Sequence, residues 1–206
     1  MGRRDTRRKR KRGGEVIDVE RWRAATDAEL LTPDALASRK AASGWHLLGV
    51  VGFAGRWRGP VARHKEDARR LLTAELEAAR ARHGDALVVV SGATDAGVLN
   101  LTYAACARLG ITAMGITAGQ AVELTLAPMR YVVPVGWRFG DESGVFVRSI
   151  DGLVMLGGGE QSRRELIAAS RRGVPITVIQ GFGGSADALT IEELADARVV
   201  RWTPQA

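Results

Sequence analysis

Residues 86–109 read ALVVVSGATDAGVLNLTYAACARL, and the fold is decided there. Ala86 to Val90 is an unbroken apolar run, Ser91 to Gly97 is a polar, glycine-bearing turn, and 97–109 is a helical candidate. A strand without a polar face belongs in a parallel sheet covered on both sides. The same unit recurs outward along the chain. Further apolar runs are His46–Val51, Ile111–Ile116, Arg130–Val135, Gly152–Leu156 and Pro175–Ile179, with Arg198–Trp202 as a last strand. Helical candidates fall at 60–82, 143–149, 162–172 and 185–196. Strands alternating with helices, joined by right-handed crossovers, predict an α/β fold: a doubly wound, mostly parallel, Rossmann-like sheet with helices on both faces.

Residues 45–206 carry this pattern, preceded by a small α/β lead-in over 15–44. In the lead-in, Glu15 to Trp22 alternates like a strand. Thr26 and Glu29 have the spacing of a capping box, and Thr32-Pro33 offers a second helix start. Residues 1–14 form a basic tail expected to be disordered. Eight basic residues against Asp5 give residues 1–12 a charge of +7, which is the charge of the whole chain. Residues 13–206 therefore balance at 22 of each sign. The basic character belongs to the tail, where Arg3 to Arg12 allow weak contact with polyanions and nothing reads bases.

No apolar run approaches the roughly 20 residues that span a bilayer, and no apolar segment follows the basic start as in a secretory signal. A single cysteine, Cys106, excludes an internal disulfide and a cysteine zinc cluster, and reads as a buried thiol. A cytoplasmic protein is expected. His46, His64 and His83 are scattered without ligand or triad spacing, so no metal site is expected. A homodimer is allowed but not required.

In a doubly wound sheet the ligand lies at the carboxyl ends of the strands, beside the switch in strand order. Glycine gathers at those ends: Gly49, Gly52 and Gly55 after the first strand, and Gly92 and Gly97 after the second. Gly157, Gly158 and Gly159 follow the fifth, and Gly181, Gly183 and Gly184 follow the sixth. Glycine permits close approach of backbone to ligand, and helix N-terminal amides attract phosphate. The expected ligand-binding set is Gly52, Gly92, Thr94, Asp95, Gly97, Gly158, Gly159, Gln161, Ser162, Gly181, Gly183, Gly184, Ser185 and Asp187. Several have plainer readings. Ser162 and Glu165 have capping-box spacing, Asp95 is placed to cap a helix, and so is one of Asp141 and Glu142. As chemistry, Glu165, Asp141 and Glu142 are the candidate catalytic carboxylates, because no histidine or cysteine is positioned by a motif. The helix bearing Arg69, Arg70, Glu75, Glu77, Arg80 and Arg82 reads as a solvated, ion-paired face.

These turns resemble the superfamily that groups the DNA-processing Smf/DprA proteins with the cytokinin-activating LOG enzymes. The nearer likeness is to its prokaryotic branch related to the N-terminal domain of melastatin-type TRP channels. SGATDAGV at 91–98, WRFGDES at 137–143 and QGFGGSAD at 180–187 carry it, within roughly residues 45–190. The resemblance implies a nucleotide-derived ligand such as ADP-ribose or an NAD-related molecule, sensed or processed. No cofactor beyond that ligand is firmly implied. The stretch DGLVMLGGGEQSRRE at 151–165 also resembles the LOG signature, with Gly158, Gly159, Ser162 and Glu165 in register. Gly157 and Gln161 replace that signature's proline and a glycine, and its catalytic arginine has no counterpart in register near Asp141. A binding protein is therefore the first expectation, a hydrolase of a nucleotide N-glycosidic bond the second, and a DNA-binding protein the third.

Overall fold

A computed structural model describes residues 17–55, 57 and 63–203. The basic tail lies outside them. Among the described residues eight strands form one all-parallel sheet in the order β1-β5-β4-β3-β2-β6-β7-β8. They are β1 (Glu29–Leu30), β2 (His46–Gly52), β3 (Leu87–Ser91), β4 (Thr112–Thr117), β5 (Tyr131–Pro134), β6 (Gly152–Leu156), β7 (Ile176–Gln180) and β8 (Ala197–Arg201). Among the described residues six helices flank the sheet: α1 (Val19–Ala25), α2 (Pro33–Ser43), α3 (Lys65–His83), α4 (Gly97–Leu109), α5 (Ser143–Ser149) and α6 (Glu160–Arg171).

The apolar strands bury both faces, as their composition requires. On one side Leu72, Leu76, Val98, Leu101 and Cys106 of α3 and α4 pack on Val50, Leu87 and Val89. On the other, Leu36, Phe146, Val147, Leu166 and Ala169 of α2, α5 and α6 pack on Leu47, Val88, Met114 and Leu153. The chain runs from β2 outward through β3, β4 and β5, then returns to place β6 on the free side of β2. The strand order thus switches between β2 and β6, where Gly52 pairs with Leu156. Cys106 is buried, and that burial pushes its thiol up to about 12, so it is inert at neutral pH.

The lead-in differs from its sequence reading. Residues 19–25 are helical, not extended: Asp18 accepts the Arg21 amide at 3.0 Å as N-cap, and Trp22 is buried against Ala28, Ala93, Ala121 and Val132. One large apolar residue per turn satisfied an alternating pattern that a helix fits as well. Thr26 and Glu29 form no capping box. Thr26 Oγ1 accepts the Ala28 amide at 3.1 Å, while Glu29 opens β1 and takes the Arg39 guanidinium through both oxygens at 2.6 and 2.8 Å. Beside β5, β1 forms the edge of the sheet. Thr32 does cap α2, accepting the Ala35 amide at 3.1 Å.

The expected helix over 185–196 is a series of turns. Asp187 is drawn back to the amides of Gly181 and Gly183, at 2.8 and 2.7 Å. Thr190 and Glu193 exchange a reciprocal pair of amide bonds typical of a helix start, but no helix propagates from it. The solvated face of α3 is as expected, with Arg69–Glu66 and Arg70–Asp67 pairs along it.

The turns after β6 and β7 are locked together by backbone. Ser185 N donates to Gly158 O at 2.9 Å and Ala186 N to Gly157 O at 3.0 Å. Gly184 sits at φ +71°, and a Cβ there would stand 2.5 Å from Gly158 O. Gly184→Val is accordingly expected to cost about 2 kcal/mol or more, from strained backbone and a clash with an atom that cannot move away. Chemical denaturation checks this; a variant as stable as wild type would show that the turns are not coupled.

Candidate functional site

A cleft of about 330 Å³ opens at the carboxyl ends of β2, β3 and β4, between the start of α6 and the loop before α5. Strand ends supply Gly52, Phe53, Ser91, Gly92, Thr94 and Thr117, α6 supplies Gly159, Gln161, Ser162 and Glu165, and the loop supplies Phe139 and Glu142.

Two local structures give this cleft its chemistry. The first is the start of α6. Its first backbone hydrogen bond is Arg163 N to Gly159 O, 3.1 Å, and no side chain caps it. The amides of Glu160, Gln161 and Ser162 precede that bond and so have no partner within the helix. A Cβ added at Gly159 would meet nothing within 4 Å, so the approach to these amides is open. Ser162 does not cap the helix as its spacing had suggested. Its hydroxyl donates to Gly52 O at 3.3 Å and ties α6 to the end of β2.

The second is a buried polar cluster. Gln161 Nε2 donates to Glu142 Oε1 at 2.9 Å and to Glu165 Oε1 at 3.0 Å. Ser143 Oγ lies 2.5 Å from the same Glu165 oxygen and 3.2 Å from Gln161 Nε2. Glu142 Oε2 accepts the Gly140 amide at 2.8 Å. Glu142 and Glu165 are 6% and 7% exposed, too little for water to solvate both charges. Burial pushes the Glu165 carboxyl up, and the neighbouring Glu142 adds to that; the Ser143 and Gln161 hydrogen bonds and Arg164 pull the other way. Glu165 is thus held by its side chain in the cluster and takes no part in capping.

The expected site residues separate into those at the cleft and those away from it. Gly52, Gly92, Thr94, Gly159, Gln161, Ser162, Glu142 and Glu165 line it. Asp141 does not: its carboxylate accepts the Trp137 and Arg138 amides, both at 2.9 Å, and closes the loop over residues 136–141. Asp95 and Gly97 line an adjoining groove, where Asp95 accepts the Asn100 amide group at 2.6 Å rather than capping α4. At Gly97, φ +56°, a Cβ would lie 2.0 Å from Phe53 O, so this glycine serves packing of α4 on the β2 turn. Gly158 is held against Ser162. Gly181, Gly183, Gly184, Ser185 and Asp187 are not in the cleft lining, and the bonds within and between their turns already engage the amides of Gly181, Gly183 and Ser185.

Ser91, Thr117, Phe139 and Ser143 were absent from the expected set. The first two end strands beside the switch and were legible on that ground; Phe139 and Ser143 stand in the WRFGDES stretch. His46 stacks on His83 at 3.6 Å, and neither ring lines the cleft. Among the described residues no group of three or more His, Cys, Asp or Glu is arranged to hold a metal, and no helix is long and apolar enough to cross a membrane.

The sequence matches no family profile and no curated protein. Its fold matches solved structures. The structural-genomics target TM1055 superposes with a TM-score of 0.59 at 23% identity, covering 76% of this chain and 91% of that one. The molybdenum cofactor binding protein of the phototrophic bacterium Rippkaea orientalis gives 0.56 at 13% identity, covering 75% and 88%. The molybdenum cofactor carrier protein of Chlamydomonas reinhardtii gives 0.53 at 20% identity, covering 75% and 89%. At these identities the likeness is one of fold: the chain shares the α/β architecture of these three proteins over about three quarters of its length.

Proposed function

We propose that the cleft binds a phosphorylated, nucleotide-type ligand and that the protein acts as a binding or sensing module. The observation that carries this reading is the meeting, in one cleft, of an uncapped helix N-terminus with a buried carboxyl–amide cluster. The α6 amides suit phosphate, since their partial positive charge is fixed in place and needs no cation. Glu142 and Gln161 suit the donors of a base edge or ribose hydroxyls. Phe139, half exposed at the rim, offers a face for a planar ring. The likeness of 91–98, 137–143 and 180–187 to the branch related to melastatin-type channels favours ADP-ribose or an NAD-related molecule. The two neighbours named for the molybdenum cofactor widen the class to other phosphorylated heterocycles.

Gly159→Val should fill the open approach to the α6 amides without touching the core. The expectation is a folded protein whose affinity for AMP or ADP-ribose, by calorimetry, falls about tenfold or more, a loss of about 1.4 kcal/mol. Unchanged affinity in a folded Gly159→Val protein overturns the placement of the phosphate.

A second reading, cleavage of the N-glycosidic bond, is favoured by one observation: Glu165 is a buried carboxyl whose proton is held above the usual range, beside the open cleft. Glu165→Gln keeps the shape and the acceptor oxygen. An enzyme would lose about 10²–10⁴-fold in turnover with this change. A sensing module would release no base from AMP or NAD in either form, and the substitution would alter affinity alone. Product analysis of both proteins distinguishes the two. Stability gives an independent check of the proton. Because the folded-state pKa is raised, the folded protein keeps a proton that the unfolded chain has lost, so stability from this group is full below about pH 4.5 and falls as pH rises through the folded value. Gln cannot ionise. The melting temperature of Glu165→Gln relative to wild type should therefore climb from pH 4.5 toward 8; a constant difference across that range would show that Glu165 is not desolvated.

A further inference from the structure

Next to the cleft, a groove of about 640 Å³ runs between α5 and α6. Three arginines line it: Arg148 from α5, and Arg164 and Arg172 from α6 and its end. All three are exposed, and among the described residues none forms an ion pair with a carboxylate. Among the same residues some arginines elsewhere pair, as Arg39 does with Glu29 and Arg163 with Glu193, while others such as Arg82 and Arg201 do not; what sets these three apart is that one groove gathers them. Arg172 is partly committed, since its guanidinium donates to Val147 O and, at 3.1 Å, to Ile150 O at the end of α5. That contact fixes its position while leaving charge in the groove. Arg148 and Arg164 have no such engagement.

The groove and the cleft are continuous: Phe139, Gln161 and Glu165 border both. Among the described residues, Glu165 is the one carboxyl in the groove's wall. It is buried and hydrogen bonded to Ser143 and Gln161, and its raised pKa further lowers the negative charge presented there. With residues 13–206 balanced in charge, a local excess of three guanidiniums is a departure from the rest of the surface. Planar guanidinium forks suit phosphate oxygens better than single point charges do.

We infer that the α5–α6 groove is a second anion subsite, formed by Arg148 and Arg164 with Arg172 behind them, that takes a di- or polyphosphate group. If the cleft holds a nucleotide as proposed above, its ligand is long enough to place a first phosphate on the α6 amides and a second anionic group among these arginines. A ligand with two separated phosphates fits this arrangement; a simple nucleoside monophosphate leaves the groove vacant. The groove's own anion affinity does not depend on the cleft reading.

The test uses the full chain and two probes, sodium pyrophosphate and AMP, by titration calorimetry at constant salt. The double variant Arg148→Ala/Arg164→Ala removes two exposed side chains that form no hydrogen bond or ion pair among the described residues, and the basic residues 3–12 contribute alike to both proteins. Pyrophosphate should still bind wild type saturated with AMP, and the double variant should lose about tenfold or more of that affinity, as expected for two charged hydrogen-bonding groups. Arg148→Lys/Arg164→Lys should keep part of it. AMP affinity should fall by clearly less than pyrophosphate affinity in every variant, since these arginines lie outside the cleft's own lining and Arg164 reaches it only through the Glu165 charge. Pyrophosphate affinity unaffected by the double alanine change, or absent from wild type, overturns the inference. Failure of AMP to bind wild type counts against the cleft reading alone, because the pyrophosphate comparison still reports on the groove.

Discussion

The close approach of backbone to backbone at the carboxyl end of β2 sets the geometry of everything above the sheet. Gly52 fits between the Leu156 carbonyl and Val98, and Gly97 lets the start of α4 rest on the Phe53 carbonyl. Val98 N donates to that carbonyl at 2.9 Å, and Ser162 Oγ binds Gly52 O from the other side. Both helices that face the switch point are therefore referenced to the last residue of β2 and the residue that follows it. Any side chain at Gly52 or Gly97 would push α4 away from β2 and widen the cleft before it affected the sheet. The strands themselves are secured by a more diffuse cause, burial of both faces, in which no single residue decides the outcome.

The same frame explains why a polar cluster can persist beside an apolar core. Glu142 and Glu165 would repel one another if both were ionised and unscreened in so little water. Gln161 stands between them as a shared donor, and Ser143 provides a second partner for Glu165. The positions of Gln161 and Glu165 one turn apart on α6 put the amide and the carboxyl on one face of the helix. The cluster then depends on α5 arriving with Glu142 and Ser143 aimed at α6. The loop closed by Asp141 on the Trp137 and Arg138 amides arranges that arrival. Asp141 thus acts at a distance on a site it does not touch.

Much of this was legible in the sequence, for reasons that can be named. Runs such as Ala86–Val90, short, rich in Val and bounded by a glycine turn, pointed to a doubly covered strand, and the placement of glycines at strand ends pointed to the edge of the sheet where the cleft lies. What the glycines were for was not legible. Gly97 and Gly184 serve contacts between turns, and only the three-dimensional neighbours distinguish that from contact with a ligand. Capping spacing misled in two places. At Thr26 the strand pairing of Glu29 with Tyr131 prevailed over a local helix start, and at Ser162 the hydroxyl found a carbonyl 110 positions away in the chain. The 185–196 stretch has the composition of a helix, but Asp187 bonded to the amides of its own turn removes the first turn a helix would need. Residues 1–14, the most conspicuous feature of the composition, lie outside the described residues.

The charge distribution bears on how a ligand would be selected. The chain's whole formal excess of +7 is confined to residues 1–12, so the remaining 194 residues present no net field to draw in an anion from a distance. Discrimination at the cleft must then arise at contact range, from dipoles and guanidiniums whose positions are set by packing. The open α6 amides would be such a device if the cleft takes a phosphate as proposed: fixed dipoles respond less to salt than a cationic surface does. The exposed arginines between α5 and α6 would act in the other way, as salt-sensitive charges, if the groove takes an anion as inferred. A ligand engaging both would lose its groove contacts first as ionic strength rises and keep its cleft contacts. The steeper its loss of affinity with salt, the larger the share of binding carried by the arginines rather than by the amide dipoles.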